Sequence, residues 1–311
     1  MADPGDAARL LAETLGPGSR LRLDFPLAPL TTFRIGGPAA IFVEAEDDRA
    51  LQAVAVATRT TGVPVEVIGK GSNVLVSDTG FAGVVIRLGR GYRWAARDGD
   101  VIAAGGAMPL PALAGVALRH GLTGLEFGVA FPASVGGAVK MNAGAHDRAM
   151  ADVVERVDIF SLGMGRRMSL GAGNAGFSYR RSGLPPDGVV VGATSTLRPG
   201  KDAEIRRLME EARVWRRRTQ PLAEPNCGSV FKNPDGDHAA RLIEAAGAKG
   251  LRHGGAEVSR KHANFIVADP GASASDVWHL VARVRDLVEA HAGVRLETEV
   301  QLMGEFRDTD G

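Results

Sequence analysis

The chain has a single cysteine, almost no net charge and no long apolar run. Its one thiol, Cys227, excludes an intrachain disulfide and favours a reducing compartment. The 37 basic and 36 acidic residues leave a net charge of +1, which gives no general reason to expect nucleic acid or an anionic membrane as a partner. Since no run of about twenty apolar residues is present, we expect no membrane insertion. The acidic N-terminal segment has no signal-peptide core, which favours a cytoplasmic protein.

Metal-ligand patterns are missing as well. The seven histidines are scattered, and no HExxH pair or comparable spacing of His, Cys and acidic residues matches a metal site. Cys227 lies two residues before Ser229, but no histidine partner marks it as a nucleophile, and we interpret it as a small packing residue.

The sequence indicates no internal repeat and no obligate protein partner. Its 311 residues fit two or three packed domains.

Hydrophobic periodicity changes twice along the chain. Short apolar runs surround a helix predicted over residues 47–61, which favours a small α/β unit in residues 21–85. Residues 86–200 are irregular and β-rich: residues 124–147 have no clean period, and residues 161–187 form a predicted surface connection. Helix–strand alternation then returns. The elements predicted in this last part include helices over residues 202–218 and 275–290 and a final strand over residues 295–302.

A glycine-rich loop, GKGSNVL, follows a predicted strand and covers residues 69–75. Glycines let the backbone approach a ligand closely, and successive N–H groups form an anion-binding nest. The loop is not a dinucleotide fingerprint, because Val74 stands where the third glycine is required. It is not a P-loop either, because Lys70 precedes the second glycine. Taken alone, it is equally typical of a tight turn between strands.

Two further loops have the same character. Residues 132–144 read PASVGGAVKMNAG, where Asn142 can donate and accept hydrogen bonds at a ring edge or a pyrophosphate. Residues 31–37 read TTFRIGG, where Arg34 beside a glycine pair can bind phosphate. Taken alone, residues 132–144 are also typical of a buried turn. Residues 31–37, taken alone, are also typical of a surface turn. Three such loops separated by strands favour a large, extended cofactor.

Taken in chain order, residues 31–37, 69–75 and 132–144 resemble the three flavin-contacting segments of the MurB family, the UDP-N-acetylenolpyruvoylglucosamine reductases. Four later segments are also similar to that family: FSYRRS (177–182), GSVFKNP (228–234), GGAEVSRKHANF (254–265) and LETEV (296–300). The resemblance implies FAD and NADPH as cofactors. It also implies an α+β fold class: a two-subdomain FAD-binding fold of the vanillyl-alcohol oxidase and p-cresol methylhydroxylase type, plus a C-terminal α/β substrate-binding domain.

Domains and cofactor contacts follow from the same resemblance. For the three parts that the periodicity separates, it implies FAD-binding subdomain 1 in residues 21–85, FAD-binding subdomain 2 in residues 86–200 and a substrate-binding domain in residues 201–311. The cofactor-binding residues that it implies are Arg34, Gly69, Lys70, Gly71, Ser72, Asn73, Val74, Leu75, Pro132, Ser134, Gly136, Gly137, Asn142, Ala143 and Gly144.

The family's reaction explains the residue types in the later segments. Hydride passes from NADPH through FAD to the enolpyruvyl ether of the expected partner, UDP-N-acetylglucosamine enolpyruvate, and negative charge develops on the substrate carboxylate. A cation and a hydrogen-bond donor must stabilise that charge, and a proton must reach the adjacent carbon. The resemblance implies that Arg180 faces the carboxylate, Ser229 donates the proton and Glu299 assists the enolic intermediate. The implied substrate-binding residues are Tyr179, Lys232, Asn233, Lys261 and His262.

Other interpretations stay open on the residues alone. Arg180 lies among other arginines, as on a solvated surface, Ser229 beside a glycine is typical of a turn, and Glu299 in an alternating strand is typical of an exposed position. An FAD-dependent alcohol or sugar oxidase would share the loops but would not explain GSVFKNP. A non-catalytic nucleotide-sugar sensor would share the fold, but the presence of all three residues together argues against it.

The match departs from the family pattern at three places. Ala130, Phe131 and Ala133 lie where the family usually carries glycines and an isoleucine, so larger side chains there can shift the loop. Thr219 stands where the family often has lysine, and an arginine from residues 216–218 is expected to supply the charge. The short connection after Ser182 leaves no room for an additional substrate-covering loop, so the chain resembles the shorter, type II-like subtype.

Overall fold

The computed structural model describes residues 3–306. Residues 1–2 of the N-terminal segment and residues 307–311 of the predicted substrate-binding domain lie outside the described residues. The helices are α1 (Pro4–Thr14), α2 (Asp48–Thr61), α3 (Leu110–Arg119), α4 (Val135–Lys140), α5 (Asp202–Thr219), α6 (Ala239–Ala245) and α7 (Ala274–Ala292). The strands are β1 (Arg20–Pro26), β2 (Pro38–Ala45), β3 (Val65–Val67), β4 (Val74–Val76), β5 (Phe81–Leu88), β6 (Ala95–Asp98), β7 (Val101–Gly105), β8 (Leu122–Thr123), β9 (Gly144–Ala145), β10 (Arg148–Ala149), β11 (Val154–Ser161), β12 (Arg166–Gly171), β13 (Gly188–Thr196), β14 (Arg198–Pro199), β15 (Arg252–His253), β16 (Ala256–Val258), β17 (Ile266–Ala268) and β18 (Gln301–Met303). None of these helices is long and apolar enough to cross a bilayer.

The chain divides into two compact units that alternate along the sequence. The first comprises residues 3–23, Ile41–Lys70 and Gly83–Arg216, and the second comprises Asp24–Ala40, Gly71–Ala82 and residues 217–306. The second unit therefore combines the C-terminal part of the chain with two short segments from the N-terminal half. The finer division into domains at residues 21–85, 86–200 and 201–311 stays a prediction.

A five-stranded antiparallel sheet, in the order β12-β11-β13-β7-β6, forms the centre of the first unit. Its middle strand β13 reads GVVVGATST and is buried at every residue except the last, which is the pattern of a strand covered on both faces. Helix α4 packs on β13 and β7, and Leu110 and Leu113 of α3 join the same core as Val135 of α4. The sheet and the two helices thus enclose the core of this unit.

In the second unit α7 packs on α6, β15 and β16. This helix begins with a capping box, in which Ser273 Oγ accepts the N–H of Asp276 and the Asp276 carboxylate accepts the N–H of Ser273. It ends at Gly293, which has the left-handed φ of 68° common at helix C-termini. Strand β4 pairs in parallel with β18, so the end of the glycine-rich loop lies beside the C-terminal strand.

The prediction of a strand over residues 295–302 is wrong for most of that range, because the strand β18 covers only Gln301–Met303. The residues before it face an irregular segment, with an isolated bridge between Phe231 and Thr298. Because the carbonyl of Val230 accepts the N–H groups of two successive residues, Glu299 and Val300, a ladder cannot continue in register. The apolar alternation in this region reflects burial without a regular strand.

Two regions predicted as irregular contain regular structure. Residues 161–187 include β12, an edge strand whose half-buried Met168 and Leu170 alternate with polar residues. Residues 124–147 include α4, whose six residues are too few to show a helical period. The helices predicted over residues 47–61, 202–218 and 275–290 are confirmed to within two residues at each end.

We predict that Gly136→Ala destabilises the protein. A Cβ at Gly136 would lie 2.9 Å from the carbonyl oxygen of Val190 and 3.1 Å from that of Gly106. Both are backbone atoms, and overpacking of this kind costs about 1–3 kcal/mol. Gly115→Ala in α3 is the matched control, because its Cβ would meet only the end of the Arg119 side chain, at 3.8 Å. Urea denaturation followed by circular dichroism measures both free energies of unfolding, and equal values would contradict the packing role of Gly136.

Candidate active site

Ser229 and Glu299 lie on two backbone segments that are hydrogen-bonded to each other within the second unit. The N–H of Glu299 donates to the carbonyl of Val230 at 2.7 Å, and the N–H of Lys232 donates to the carbonyl of Glu297 at 2.9 Å. The side chains of Ser229 and Glu299 are both half-buried. The structure thus places on neighbouring segments two of the three residues to which the resemblance gives a catalytic role.

A buried asparagine that the sequence analysis did not single out holds the segment after Ser229. Asn264 is 4% exposed; its Oδ1 accepts the N–H of Phe231 at 2.9 Å, and its Nδ2 donates to the carbonyl of Phe231 at 2.8 Å. Its own carbonyl accepts the N–H of Val230 at 2.9 Å. The sequence signal for such a residue is a lone asparagine inside the apolar run AxFIVA that ends in β17, since a buried amide requires partners.

Asn226 and a glycine fix the chain before Ser229. The Nδ2 of Asn226 donates to the carbonyls of Pro221 at 3.0 Å and Glu224 at 2.7 Å, and its Oδ1 accepts the N–H of Gly228 at 2.9 Å. Gly228 has a φ of 83°, a conformation that residues with a Cβ rarely adopt. Ser229 therefore follows a tight turn, and its backbone is held on both sides.

The glycine-rich loop reaches the same place through Asn73. Its Nδ2 donates to the carbonyl of Glu299 at 3.0 Å, and its carbonyl accepts the N–H of Gln301 at 3.1 Å. Gly71 has a φ of 60°, and a Cβ there would lie 2.1 Å from the carbonyl oxygen of Leu30. Glycine is therefore required at this position. The following residues, Val74 and Leu75, are buried in β4.

The loop also presents backbone donors in the second unit. The N–H groups of Gly71, Ser72 and Asn73 donate no hydrogen bond to any protein atom of residues 3–306. Successive N–H groups of this kind form a nest for an anionic group such as phosphate. The donor set therefore fits the pyrophosphate of FAD.

Arg34 lies at the corner of a loop that is bonded to this nest. Its φ of 60° is uncommon for a residue with a Cβ. The N–H of Arg34 donates to Thr31 Oγ1 at 3.0 Å, and that hydroxyl donates to the carbonyl of Ala28 at 3.1 Å. The N–H of Thr32 donates to the carbonyl of Gly71 at 2.9 Å. The exposed Arg34 side chain is thus carried by a segment that touches the glycine-rich loop.

In the first unit Arg180 lies at the corner of a tight turn. The N–H of Ser178 donates to the carbonyl of Arg181 at 2.9 Å, and the N–H of Arg181 donates to the carbonyl of Ser178 at 3.1 Å. Tyr179 and Arg180 are the two corner residues, and Arg180 has a φ of 55°. The ring of Tyr179, which is 54% exposed, has its centre 5.2 Å from the guanidinium carbon of Arg180. An aromatic ring therefore supports the half-buried cation.

The predicted cofactor loop at residues 132–137 enters the first turn of α4, in the same unit. Ser134 is the N-cap, and its Oγ accepts the N–H of Gly137 at 3.3 Å. The N–H of Gly136 donates to the carbonyl of Gly106 at 2.9 Å. Because these donors already have protein acceptors, this turn offers a ligand its surface of small residues. Gly69 lies close to it, since a Cβ at Gly69 would be 2.7 Å from Ser134 Oγ.

The residues after α4 bond to neighbouring loops. The buried amide of Asn142 donates through Nδ2 to the carbonyl of Ser178 at 2.9 Å and accepts through Oδ1 the N–H of Ala151 at 2.9 Å. The N–H of Ala143 donates to an α4 carbonyl, and Gly144 pairs with β10. A cofactor contact of Asn142 stays a prediction, and both ends of its amide have a backbone partner.

Two of the predicted substrate-binding residues follow Phe231 directly. Lys232 Nζ lies 3.0 Å from the carboxylate of Glu297, which is 77% exposed. Asn233 Oδ1 accepts the N–H of Ala239, the first residue of α6, at 3.0 Å. The Nδ2 end of Asn233 is left as a donor on an exposed side chain.

Two more of the five predicted substrate-binding residues, Lys261 and His262, lie just before Asn264. Lys261 Nζ donates to the carbonyl of Arg217 at 2.6 Å. The Nδ1 of His262 accepts the N–H of Asn264 at 3.2 Å, which places the ring proton on Nε2 in the neutral form. Burial lowers the pKa of His262 below its ordinary value. At neutral pH this ring is therefore an uncharged hydrogen-bond donor.

Cys227 is 1% exposed and is not a nucleophile. Burial first, and then the negative charge of Glu299, raise the pKa of its thiol far above the ordinary value. The thiol therefore stays protonated at neutral pH, and a protonated thiol is inert. In the part of the chain from residue 3 to residue 306, no group of three or more His, Cys, Asp or Glu side chains is arranged to hold a metal ion.

The predicted site residues divide between the two units. The first unit contains Gly69, Lys70, Pro132, Ser134, Gly136, Gly137, Asn142, Ala143, Gly144, Tyr179 and Arg180. The second unit contains Arg34, Gly71, Ser72, Asn73, Val74, Leu75, Ser229, Lys232, Asn233, Lys261, His262 and Glu299. Hydrogen bonds inside the second unit join the segments of Arg34, Asn73, Ser229 and Glu299, and inside the first unit they join Asn142 to the Arg180 turn.

Comparison with protein-family models identifies two matching parts of the chain. Residues 39–171 match the model described as FAD binding domain. Residues 220–303 match the model described as UDP-N-acetylenolpyruvoylglucosamine reductase, C-terminal domain. These matches confirm the predicted α+β fold class, an FAD-binding part followed by a C-terminal domain of the MurB type.

Similar proteins match over almost the whole chain. The UDP-N-acetylenolpyruvoylglucosamine reductase of Anaeromyxobacter sp. (strain Fw109-5) is 45% identical over 309 residues, 99% of this chain and 96% of that protein. UDP-N-acetylenolpyruvoylglucosamine reductase 2 of Symbiobacterium thermophilum is 46% identical over 299 residues, 96% of each chain. The crystal structure of the reductase (MurB) from Thermus caldophilus has 39% identity and a TM-score of 0.79, and the match covers 92% of this chain and 98% of that chain. The chain therefore belongs to the family of UDP-N-acetylenolpyruvoylglucosamine reductases.

Proposed function

We propose that this chain is a UDP-N-acetylmuramate dehydrogenase that reduces UDP-N-acetylglucosamine enolpyruvate to UDP-N-acetylmuramate with FAD and NADPH, in peptidoglycan precursor synthesis. The observation that carries the proposal is the pairing of the Ser229 and Glu299 segments, whose backbones are joined at 2.7 Å between the Glu299 N–H and the Val230 carbonyl. A hydroxyl and a carboxyl group on adjacent segments suit the protonation of an enolate-like species. We place the reaction in the cytoplasm, because the free thiol of Cys227 suits a reducing compartment.

FAD, when bound, supplies the redox chemistry between NADPH and the substrate. In the second unit, the N–H groups of Gly71, Ser72 and Asn73 provide donors for its pyrophosphate, and the exposed Arg34 adds a positive charge. In the first unit, the turn that begins at Ser134 offers small residues to a flat ring. These residues bind and orient the cofactor.

Ser229 Oγ is the group that we assign to proton donation. A serine hydroxyl is a weak acid, so its position relative to the accepting carbon must be fixed in advance. The turn at Gly228 and the amides of Asn226 and Asn264 fix the backbone on both sides of Ser229. Glu299 assists the enolic intermediate from the neighbouring segment.

Arg180 is the cation that we assign to the substrate carboxylate. A guanidinium group binds a carboxylate through two parallel hydrogen bonds, and its charge stabilises the negative charge that develops there. Its half-buried position reduces competition from water. Tyr179, at the same turn, is exposed to contact the substrate directly.

Lys232, Asn233, Lys261 and His262 are the residues that we assign to the nucleotide-sugar part of the substrate. Lys232 forms its ion pair with a carboxylate that is 77% exposed. An ion pair at such a position contributes only about 0–1 kcal/mol, so a substrate phosphate can replace it. Asn233 and His262 each retain a hydrogen-bond donor.

Consumption of NADPH by the purified protein, in the absence of oxygen, tests the proposed reaction. We expect continuous oxidation of NADPH only when UDP-N-acetylglucosamine enolpyruvate is present, because the reduced enzyme then has an acceptor. UDP-N-acetylglucosamine, which lacks the enolpyruvyl ether, is the control. Absence of turnover by a folded, flavin-containing protein would contradict the proposal. Turnover that instead requires oxygen and an alcohol or sugar would favour the oxidase.

Ser229→Ala tests the proton donor. We expect oxidation of the reduced enzyme by substrate to slow by about 10²–10⁴-fold, the usual contribution of a general acid. Reduction by NADPH should change little, because that half-reaction needs no proton from Ser229. Rapid mixing measures the two half-reactions separately, and Ser169→Ala, at an exposed serine of β12, is the matched control. Equal slowing of both half-reactions would show that Ser229 has another role.

Cys227→Ala tests the conclusion that the thiol is inert. We expect the variant to keep turnover within roughly twofold of the unmodified protein, because a thiol held protonated by burial performs no chemistry. The measurement is the same NADPH assay, together with the flavin content of the variant. A loss of turnover at full flavin content would mean that the thiol takes part in the reaction.

A further inference from the structure

Three hydrogen bonds attach the end of α4 to the loop that carries the proposed carboxylate-binding arginine. Asn142 Nδ2 donates to the carbonyl of Ser178 at 2.9 Å. The hydroxyl of Ser182 donates to the carbonyl of Lys140 at 2.7 Å, and Lys140 Nζ donates to the carbonyl of Pro185 at 2.9 Å. All of these residues belong to the first unit. The loop is thus held before and after its corner residues.

The turn itself needs external support. Two backbone hydrogen bonds between Ser178 and Arg181 close it, and its corner residue Arg180 has the left-handed φ of 55°. That conformation is unfavourable for a residue with a Cβ and persists where surrounding contacts determine it. The other corner residue, Tyr179, is 54% exposed. The bond from Asn142 to Ser178 therefore falls on the part of the turn that decides where Arg180 lies.

Asn142 is fixed in the orientation that makes this bond. Its side chain is 6% exposed, and its Oδ1 accepts the N–H of Ala151 at 2.9 Å, so Nδ2 must face Ser178. Its own φ is 43°, which asparagine and aspartate tolerate better than most residues with a Cβ. Both the side chain and the backbone of Asn142 thus suit a fixed donor.

We propose that Asn142 is a positioning residue for Arg180: its amide holds the Ser178–Arg181 turn so that the guanidinium group meets the substrate carboxylate. This role rests on the proposed function, because it assumes the contact between Arg180 and the carboxylate. It goes beyond the cofactor contact predicted for Asn142, since the buried amide faces Ser178 and Ala151.

Asn142→Asp removes the donor, keeps the acceptor and adds a negative charge. Aspartate has nearly the same size, tolerates the left-handed φ and keeps an oxygen for the N–H of Ala151, but a carboxylate oxygen replaces the amino group that faces Ser178. Asn174→Asp is the matched control, because it makes the same change in charge at an exposed asparagine of the same unit.

Two readouts on the flavin-loaded protein separate positioning from general damage. We expect Asn142→Asp to slow oxidation of the reduced enzyme by substrate about 10–100-fold, because a displacement of about 1 Å at a reacting site can have an effect of that size. Reduction by NADPH, flavin content and the flavin absorption spectrum should match those of Asn174→Asp. Hydrogen exchange at the N–H groups of Ser178 and Arg181 should become faster, which reports on the turn without any reaction.

Any other result of these measurements would overturn either the positioning role of Asn142 or the proposed function on which that role rests. Loss of flavin, or equal slowing of both half-reactions, would overturn the proposal and favour a cofactor contact. Unchanged exchange at the turn would also overturn it. If Asn142→Asp does not fold, Ser182→Ala removes a neighbouring attachment and should slow only the substrate half-reaction; equal slowing there would overturn the proposal. An unmodified protein that accepts electrons from NADPH but never reacts with substrate would refute the proposed function, and the exchange result would still decide whether Asn142 holds the turn.

Discussion

Buried backbone N–H and carbonyl groups require hydrogen-bond partners, and in the segments that carry the site residues asparagine side chains provide them. The sequence contains six asparagines. The side chains of five bond to backbone atoms: Asn73, Asn142, Asn226, Asn233 and Asn264. An amide carries both a donor and an acceptor, so it can replace a neighbouring strand for one residue, as Asn264 does for Phe231. Irregular backbone can therefore be buried and fixed at the same time.

This constraint explains why Ser229 can lie outside a strand and still have a defined position. Asn226 holds the turn before it, and Asn264 holds Phe231, whose side chain is 1% exposed and packs in the core of the second unit. A regular strand would direct alternate side chains to opposite faces. The turn at Gly228 instead sets the direction of Ser229 independently of its neighbours, while the core anchors the segment.

Local sequence patterns predict the long helices but not the hydrogen bonds that hold the candidate site, for a physical reason. Helix α7 carries an apolar stripe, and its capping box and terminal glycine involve the residues directly beside it, so local patterns determine it. The bond between Asn264 and Phe231 joins residues 33 positions apart, and that between Asn73 and Glu299 joins residues 226 positions apart. No local pattern contains such pairs, so the roles of Ser229 and Glu299 came from resemblance to a family, whereas the bonds that hold their segments came from the structure.

Left-handed backbone occurs at three of the predicted site residues that carry a Cβ, Arg34, Asn142 and Arg180. Among residues 3–306, the residues other than glycine with a positive φ are Asp24, Arg34, Asn142, His146, Asp147 and Arg180. A left-handed conformation costs about 1–2 kcal/mol for a residue with a Cβ, and glycine would avoid that cost at Arg34 and Arg180 but would remove a guanidinium group. A side chain bonds to the loop of each arginine: Thr31 Oγ1 accepts the N–H of Arg34 in one unit, and Asn142 Nδ2 donates to the carbonyl of Ser178 in the other. In the function proposed above, each of these strained residues carries a guanidinium group toward a ligand, so the bonds that support its loop serve the same role as its charge.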